Sequence, residues 1–223
     1  VKNYMIEINN IQVYGFEGAI RGMRNPMNSW SESDTFFMHG GPSFQKQYIV
    51  NCDLGEKDLA LAQRLVLAGT DHSKFMRMIN ATMDITTNHI WWSEFDTYKV
   101  STVRNSCSKM HKIHVKEFKV EDFSHEGITE VGNFIEIHFK KTIEVLEYLR
   151  KEFNKTKERK YWRALIELLP MGYNLKATVQ LNYQTLRNMY FARQHHKLQE
   201  WKDFCEIIEE LPYGKELICL KEK

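Results

Sequence analysis

No run of apolar residues in the 223-residue chain approaches the roughly 18 that a membrane-spanning helix needs, so no membrane partner is expected. Cysteine is scarce. Cys52, Cys107, Cys205 and Cys219 are scattered without a CxxC or any other metal-ligand spacing, and read as reduced thiols rather than a disulfide framework. Only 4 prolines occur, so no Pro-rich linker divides the chain, and neither repeats nor low-complexity stretches are present. Charge of one sign is lacking too: 31 Lys plus Arg against 29 Asp plus Glu leave a net +2, which does not announce a nucleic-acid partner. No GxGxxG, P-loop or GxSxG motif appears. Val1-Lys2-Asn3-Tyr4-Met5 shows no signal-peptide apolar region, and a soluble, cytoplasmic protein is the expectation.

What is present is ordinary globular composition, 43% apolar and 27% charged. Met5 to Tyr14 reads as a strand, and Glu17 to Met23 as a short helix. Asn25 to Gln47, with Pro26, Trp30, Gly40-Gly41 and Pro42, reads as a long loop of the kind that carries function. Glu56 to Ala68 has acidic residues in its first turn, Leu59, Ala62 and Val66 at helical spacing, and Gly69 beyond its end. Asp71 to Ile79 reads as a shorter turn or helix. Thr82 to Trp92 alternates as a strand that would place Met83, Ile85, Thr87, His89 and Trp91 on one face and turn Trp91 and Trp92 to opposite faces. Asn133 is expected to cap a helix reaching Asn154, with Ile135, Phe139, Leu146, Leu149 and Phe153 as its buried stripe. Asn154 to Lys160 is a solvated turn or helix end. Arg159 to Leu168 follows as a helix that must stop near Pro170, then the strand Leu175 to Leu181 and helices over about Tyr183 to Gln194 and Leu198 to Leu211, with Pro212 ending the last. This order predicts a mixed α/β (α+β) fold in one domain over residues 1–223, a mixed sheet flanked by long helices.

Two constellations stay open on these grounds. His111 and His114, three apart, could share a helix face, but no third ligand has comparable placement, and no metal is expected. The basic run Lys109 to Lys116 suits a phosphate or simply a solvated face.

Four separated segments carry more. Leu169-Pro170 leads through MGYNLKATVQL into Asn182, Leu186, Asn188 and Arg193, and then Glu200-Trp201. This resembles the C-terminal signature of flavin-dependent thymidylate synthases, Asn-x-x-Ser-Leu-x-Asn-Phe-x-x-x-Arg ending near Gln-Trp-Glu. Glu17 to Arg24 resembles that family's N-terminal Ala-Ile-x-x-Ala-Arg helix. Gly69 to Phe75 is similar to its Gly-His-x-Ser-x-Phe-Glu-His, and Asn105 to His111 sits where Asn-Glu-x-Ser-x-Arg-Tyr is found. The four are collinear over residues 17 to 201, with 112–145 left as an insertion.

The resemblance implies a pyrimidine nucleotide as substrate, FAD as cofactor, methylenetetrahydrofolate as carbon donor, NADPH as reductant and a homotetramer. Such a reaction needs no enzyme nucleophile, since the flavin carries the hydride and the protein orients and polarises the pyrimidine. Arg193 would polarise the base as the catalytic group. Ser73, Asn182 and Asn188 would hold the flavin, and Asn105, Ser108, Lys99 and Arg193 the nucleotide. Asn182 suits a plain helix N-cap equally well. The departures are specific. The hallmark Arg-His-Arg aligns with Tyr98-Lys99-Val100, and further family arginines align with Met110 and Ile166. The glutamate and histidine after Phe75 are Met76 and Arg77. A non-catalytic nucleotide-binding or interaction protein on the same scaffold is the alternative these losses leave open.

Overall fold

A computed structural model describes residues 5–37, 43–45, 48–50 and 52–221, with the backbone alone at 43–45 and 48–50. In chain order the elements are β1 (Glu7–Tyr14), α1 (Phe16–Arg24), β2 (Phe36–Phe37), β3 (Ser43–Gln45), β4 (Tyr48–Val50), β5 (Cys52–Asp53), α2 (Glu56–Leu67), β6 (Asn80–Asn88), α3 (His89–Phe95), β7 (Thr102–Ser106), α4 (Lys109–Lys112), α5 (Glu126–Val131), α6 (Asn133–Thr156), α7 (Arg159–Leu168), β8 (Asn174–Asn182), α8 (Tyr183–Arg193) and α9 (Gln199–Glu210). Six strands form one sheet in the order β3-β4-β1-β6-β8-β7, and β2 pairs with β5 in a second. The larger sheet is mixed: β1 pairs with β4 in parallel, β3 with β4 antiparallel. The predicted mixed α/β class is the observed one.

Contacts divide the chain into two units. The first holds Val1–Ile85, Thr97–Arg104 and Thr178–Lys223. Alternation along β1, β6 and β8 drives Ile11, Val13, Ala81, Met83, Ile85, Val179 and Leu181 inward, where α1, α8 and α9 add Ile20, Leu186, Trp201 and Phe204. Gly15 opens α1 at φ +97°, and a Cβ there would stand 2.1 Å from the Met78 carbonyl oxygen. Only glycine fits that junction. Beyond Pro212 the chain makes a further π-helical turn, Gly214–Ile218, which sequence reading did not foresee. It buries Leu217 and Ile218, and the Arg187 guanidinium ties it down through the carbonyls of Ile218 (2.8 Å) and Leu220 (2.7 Å).

The second unit is Thr86–Asp96 with Asn105–Ala177. Its core gathers Phe118, Phe123, Phe139, Ile143, Leu146 and Leu165. Here three expectations give way. Trp91 and Trp92 do not flank a strand, because β6 ends at Asn88, whose side-chain oxygen accepts from the Trp91 N–H at 3.0 Å and starts α3. Both tryptophans are buried on that helix, Trp91 stacked on Phe95 and Trp92 edge-on to it. Asn133 is the first helical residue of α6 and not its cap, which is Gly132 at φ +122°. The buried stripe is Phe139, Ile143, Leu146 and Leu149, with Phe153 half-buried and Ile135 exposed. The expected Asn25–Gln47 loop contains short 3-10 turns at Asn25–Met27 and Trp30–Glu32 and the strands β2 and β3. Residues 38–42 and 46–47, including Gly40-Gly41 and Pro42, lie outside the described residues.

Candidate functional site

Strand β8 delivers Asn182 to the start of α8. Its side-chain oxygen accepts from the Thr185 N–H at 2.9 Å, so the N-cap reading of Asn182 is correct. The cap consumes the oxygen and leaves the Nδ2 group of this nearly buried carboxamide without a partner among the described residues. Six residues on, Asn188 accepts at Oδ1 from Gln184 Nε2 (3.1 Å), and its NH2 group likewise has no partner among the described residues. Gln184 in turn accepts at Oε1 from the buried Ser73 hydroxyl (2.9 Å). The chain Ser73–Gln184–Asn188 therefore fixes which end of each amide faces outward.

These groups wall a cavity of about 440 Å³ whose lining includes Arg77, Tyr98, Lys99, Asn182, Gln184 and Asn188. Arg77 closes the 3-10 turn Ser73–Arg77, and Tyr98 and Lys99 come from the segment between α3 and β7. That segment is pinned by a hydrogen bond from the Thr102 hydroxyl to the Tyr98 carbonyl. Arg193, at the last turn of α8, donates from Nε to the Tyr98 hydroxyl at 3.0 Å. Its guanidinium lies over the Trp201 ring, 4.9 Å from the centroid, and 5.6 Å from that of Tyr98. Cationic Lys99 and Arg77 with amide donors make a surface suited to carbonyl oxygens and phosphate.

The structure thus gathers Lys99, Asn182 and Asn188 at one cavity and joins Ser73 and Arg193 to its walls through Gln184 and Tyr98. Asn105 and Ser108 are exposed residues of the second unit. There the Ser108 hydroxyl oxygen caps α4 by accepting from the His111 N–H at 3.1 Å. Sequence reading missed Gln184 and treated Arg77 and Tyr98 only as departures from a pattern. The signal for Gln184 was its place in the first turn after a capping asparagine. His111 and His114 do not lie on one helix: α4 stops at Lys112, and His114 packs edge-on to Phe153 at 4.9 Å. Among the described residues no group of three or more metal-binding side chains occurs, and no helix is long and apolar enough to cross a membrane.

No protein-family model matches the sequence, and no curated protein matches it either. The backbone does have solved counterparts. It is similar to thymidylate synthase X from Helicobacter pylori crystallised with FAD and dUMP, at a TM-score of 0.70 and 16% identity over 97% of this chain and 100% of that one. A second structure of the flavin-dependent thymidylate synthase of that organism, complexed with FAD and dUMP, aligns at 0.67 and 18% over 96% and 100%. At such identities the likeness shows the fold, and the fold is that of the flavin-dependent thymidylate synthases.

Proposed function

We propose that the chain is a divergent flavin-dependent thymidylate synthase, methylating a deoxyuridylate-like pyrimidine nucleotide with methylenetetrahydrofolate and reduced FAD, and reduced in turn by NADPH. We read residues 1–223 as one domain of that kind, with 112–145 as its insertion, assembling as a homotetramer. The observation that carries this reading is the pair of amide NH2 groups on Asn182 and Asn188 that have no partner among the described residues, at the positions matching the family's two asparagines. It is supported by a backbone similar to enzymes crystallised with FAD and dUMP.

The donor set suits a flavin. Two oriented NH2 groups match the carbonyl oxygens of an isoalloxazine, and Arg77 and Lys99 match phosphate. Bound there, FAD would supply the hydride that completes the methyl group. The protein's own part is orientation. Asn182 is held by its cap, and Ser73 acts through Gln184 to turn the Asn188 amide outward. Arg193 polarises the pyrimidine and keeps Tyr98 in place, where the family's first hallmark arginine would stand. Lys99, on the cavity wall, takes the nucleotide phosphate in place of an absent arginine.

Purified protein mixed with FAD tests this directly. A retained flavin absorbance, bleached by NADPH, and formation of thymidylate from deoxyuridylate and methylenetetrahydrofolate are expected. Protein that stays colourless and takes up no FAD overturns the proposal, and stabilisation by pyrimidine nucleotides alone would mark a non-catalytic binder.

A further inference from the structure

The first unit contains a larger cavity, about 760 Å³, that shares no lining residue with the Asn182 cavity. It lies among α1, the turn after it, α2 and the 3-10 turn Ser73–Arg77. Its floor is apolar, from Met23, Leu61, Leu65 and Phe75. Four of its lining residues are basic and exposed: Lys57, Arg64, His72 and Lys74. Among the described residues none of these four side chains has an ion-pair or hydrogen-bond partner. On α2, Lys57, Leu61 and Arg64 fall at i, i+4 and i+7, one column on the helix face, which sets the two cations about 10 Å apart along the axis with an apolar residue between them. Glu32 and Asp71 add acceptors to the lining.

One wall is rigid. Buried Arg24 is locked to Asp58 at 2.6 Å and also donates to the carbonyls of Ser29 (3.1 Å) and Glu32 (3.2 Å), fixing the turns that line the cavity. A pre-set wall lowers the cost of ordering on binding. The size falls within the range of small-ligand pockets. Unpaired cations spaced along an apolar floor fit a ligand with phosphate at one end and a flat ring at the other, and carboxylates among them accept from ribose hydroxyls or ring amino groups.

We infer that this cavity is a second binding site, for a phosphorylated ligand of nucleotide size, and that it works independently of the flavin reading. Calorimetric titration of the full chain with guanosine 5′-diphosphate, inorganic pyrophosphate and guanosine tests it. Saturable 1:1 binding of the diphosphate is expected, weaker binding of pyrophosphate and weaker still of guanosine. Arg64→Ala and Lys74→Ala, both exposed positions, should each weaken the diphosphate about tenfold, the loss of one charge-assisted contact, with an unchanged circular dichroism spectrum. The same variants should leave FAD uptake within about twofold, while Asn182→Ala and Lys99→Ala should leave diphosphate binding within about twofold. No saturable binding up to about 1 mM, or binding that survives Arg64→Ala and Lys74→Ala but not Lys99→Ala, overturns the inference. Diphosphate binding through Arg64 without any FAD uptake would sustain it while ending the flavin reading.

Discussion

Arg24 and Asp58 meet as a buried ion pair, Nε to Oδ1 at 2.6 Å, with side chains 3% and 0% exposed. The second oxygen of Asp58 accepts from the hydroxyls of Ser33 and Thr35 (2.6 Å each) and the Thr35 N–H (3.1 Å). One carboxylate therefore ties α1, α2 and the segment 33–35 together, and Asp34 continues the join by accepting from the first-turn N–H groups of Lys57 and Asp58. Removing one partner strands the other charge. Asp58→Ala is expected to cost about 3–5 kcal/mol in urea unfolding, and an Arg24→Met/Asp58→Leu double variant less than the sum of its parts.

Burial pushes the Asp58 carboxyl up, but the hydrogen bonds from Ser33, Thr35 and Arg24 outweigh it and hold the group below the usual carboxylate range. The unfolded chain therefore takes up this proton first. The pair's stabilisation is complete above about pH 4 and disappears as pH falls through the lower folded value. Acid unfolding followed by circular dichroism should show a shallower slope below pH 4 in Asp58→Asn than in the wild type.

Asn182 has two separable jobs, and two variants part them. Asn182→Ala should cost about 1 kcal/mol by removing the cap of α8. Asn182→Asp keeps the capping oxygen, so its unfolding midpoint should stay near wild type. Both lose the NH2 group, and both are expected to weaken FAD uptake. If Asn182→Asp binds FAD like the wild type, the amide does not touch the flavin.

Tyr98→Phe removes the hydroxyl that accepts from Arg193 while keeping the ring. Its stability cost should be about 0.5–1.5 kcal/mol. Arg193→Lys cannot reproduce a planar group lying on Trp201 and should not restore activity lost in Arg193→Ala, measured as kcat/KM for thymidylate formation.

Desolvation, followed by the charges of Lys157, Lys112 and Arg150, lowers the pKa of His114. A histidine that resists protonation when folded gives stability that is whole above about pH 6.5 and falls as pH drops below it. Thermal midpoints between pH 5 and 7 should therefore decline less steeply in His114→Asn. Thiol chemistry offers a further check. Burial pushes Cys52, Cys205 and Cys219 up to about 12, whereas Cys107 is exposed. Alkylation of native protein at pH 8 should label Cys107 first.

Much of the framework was legible in periodicity and capping. α7 spans the expected Arg159–Leu168, and β8 and α8 lie within a residue of their expected bounds, because alternation and a proline stop are local signals. Trp91-Trp92 misled because a run of threonine, isoleucine and tryptophan favours a strand, while the cap at Asn88 and burial beside Phe95 favoured a helix. The insertion of Asp58 into the core was invisible, since an acidic residue in a first turn ordinarily faces water.

Local chemistry alone therefore determined where α8 begins, that Asn182 caps it, and which segments resemble the thymidylate synthase pattern. Only the tertiary fold decided that Ser73, 111 residues from Gln184, would orient that amide, and that Tyr98 would meet Arg193 across 95 residues. Capping depends on neighbours three residues apart and is written in spacing. A binding wall depends on where the packed core brings distant turns together, and no spacing in the chain encodes that.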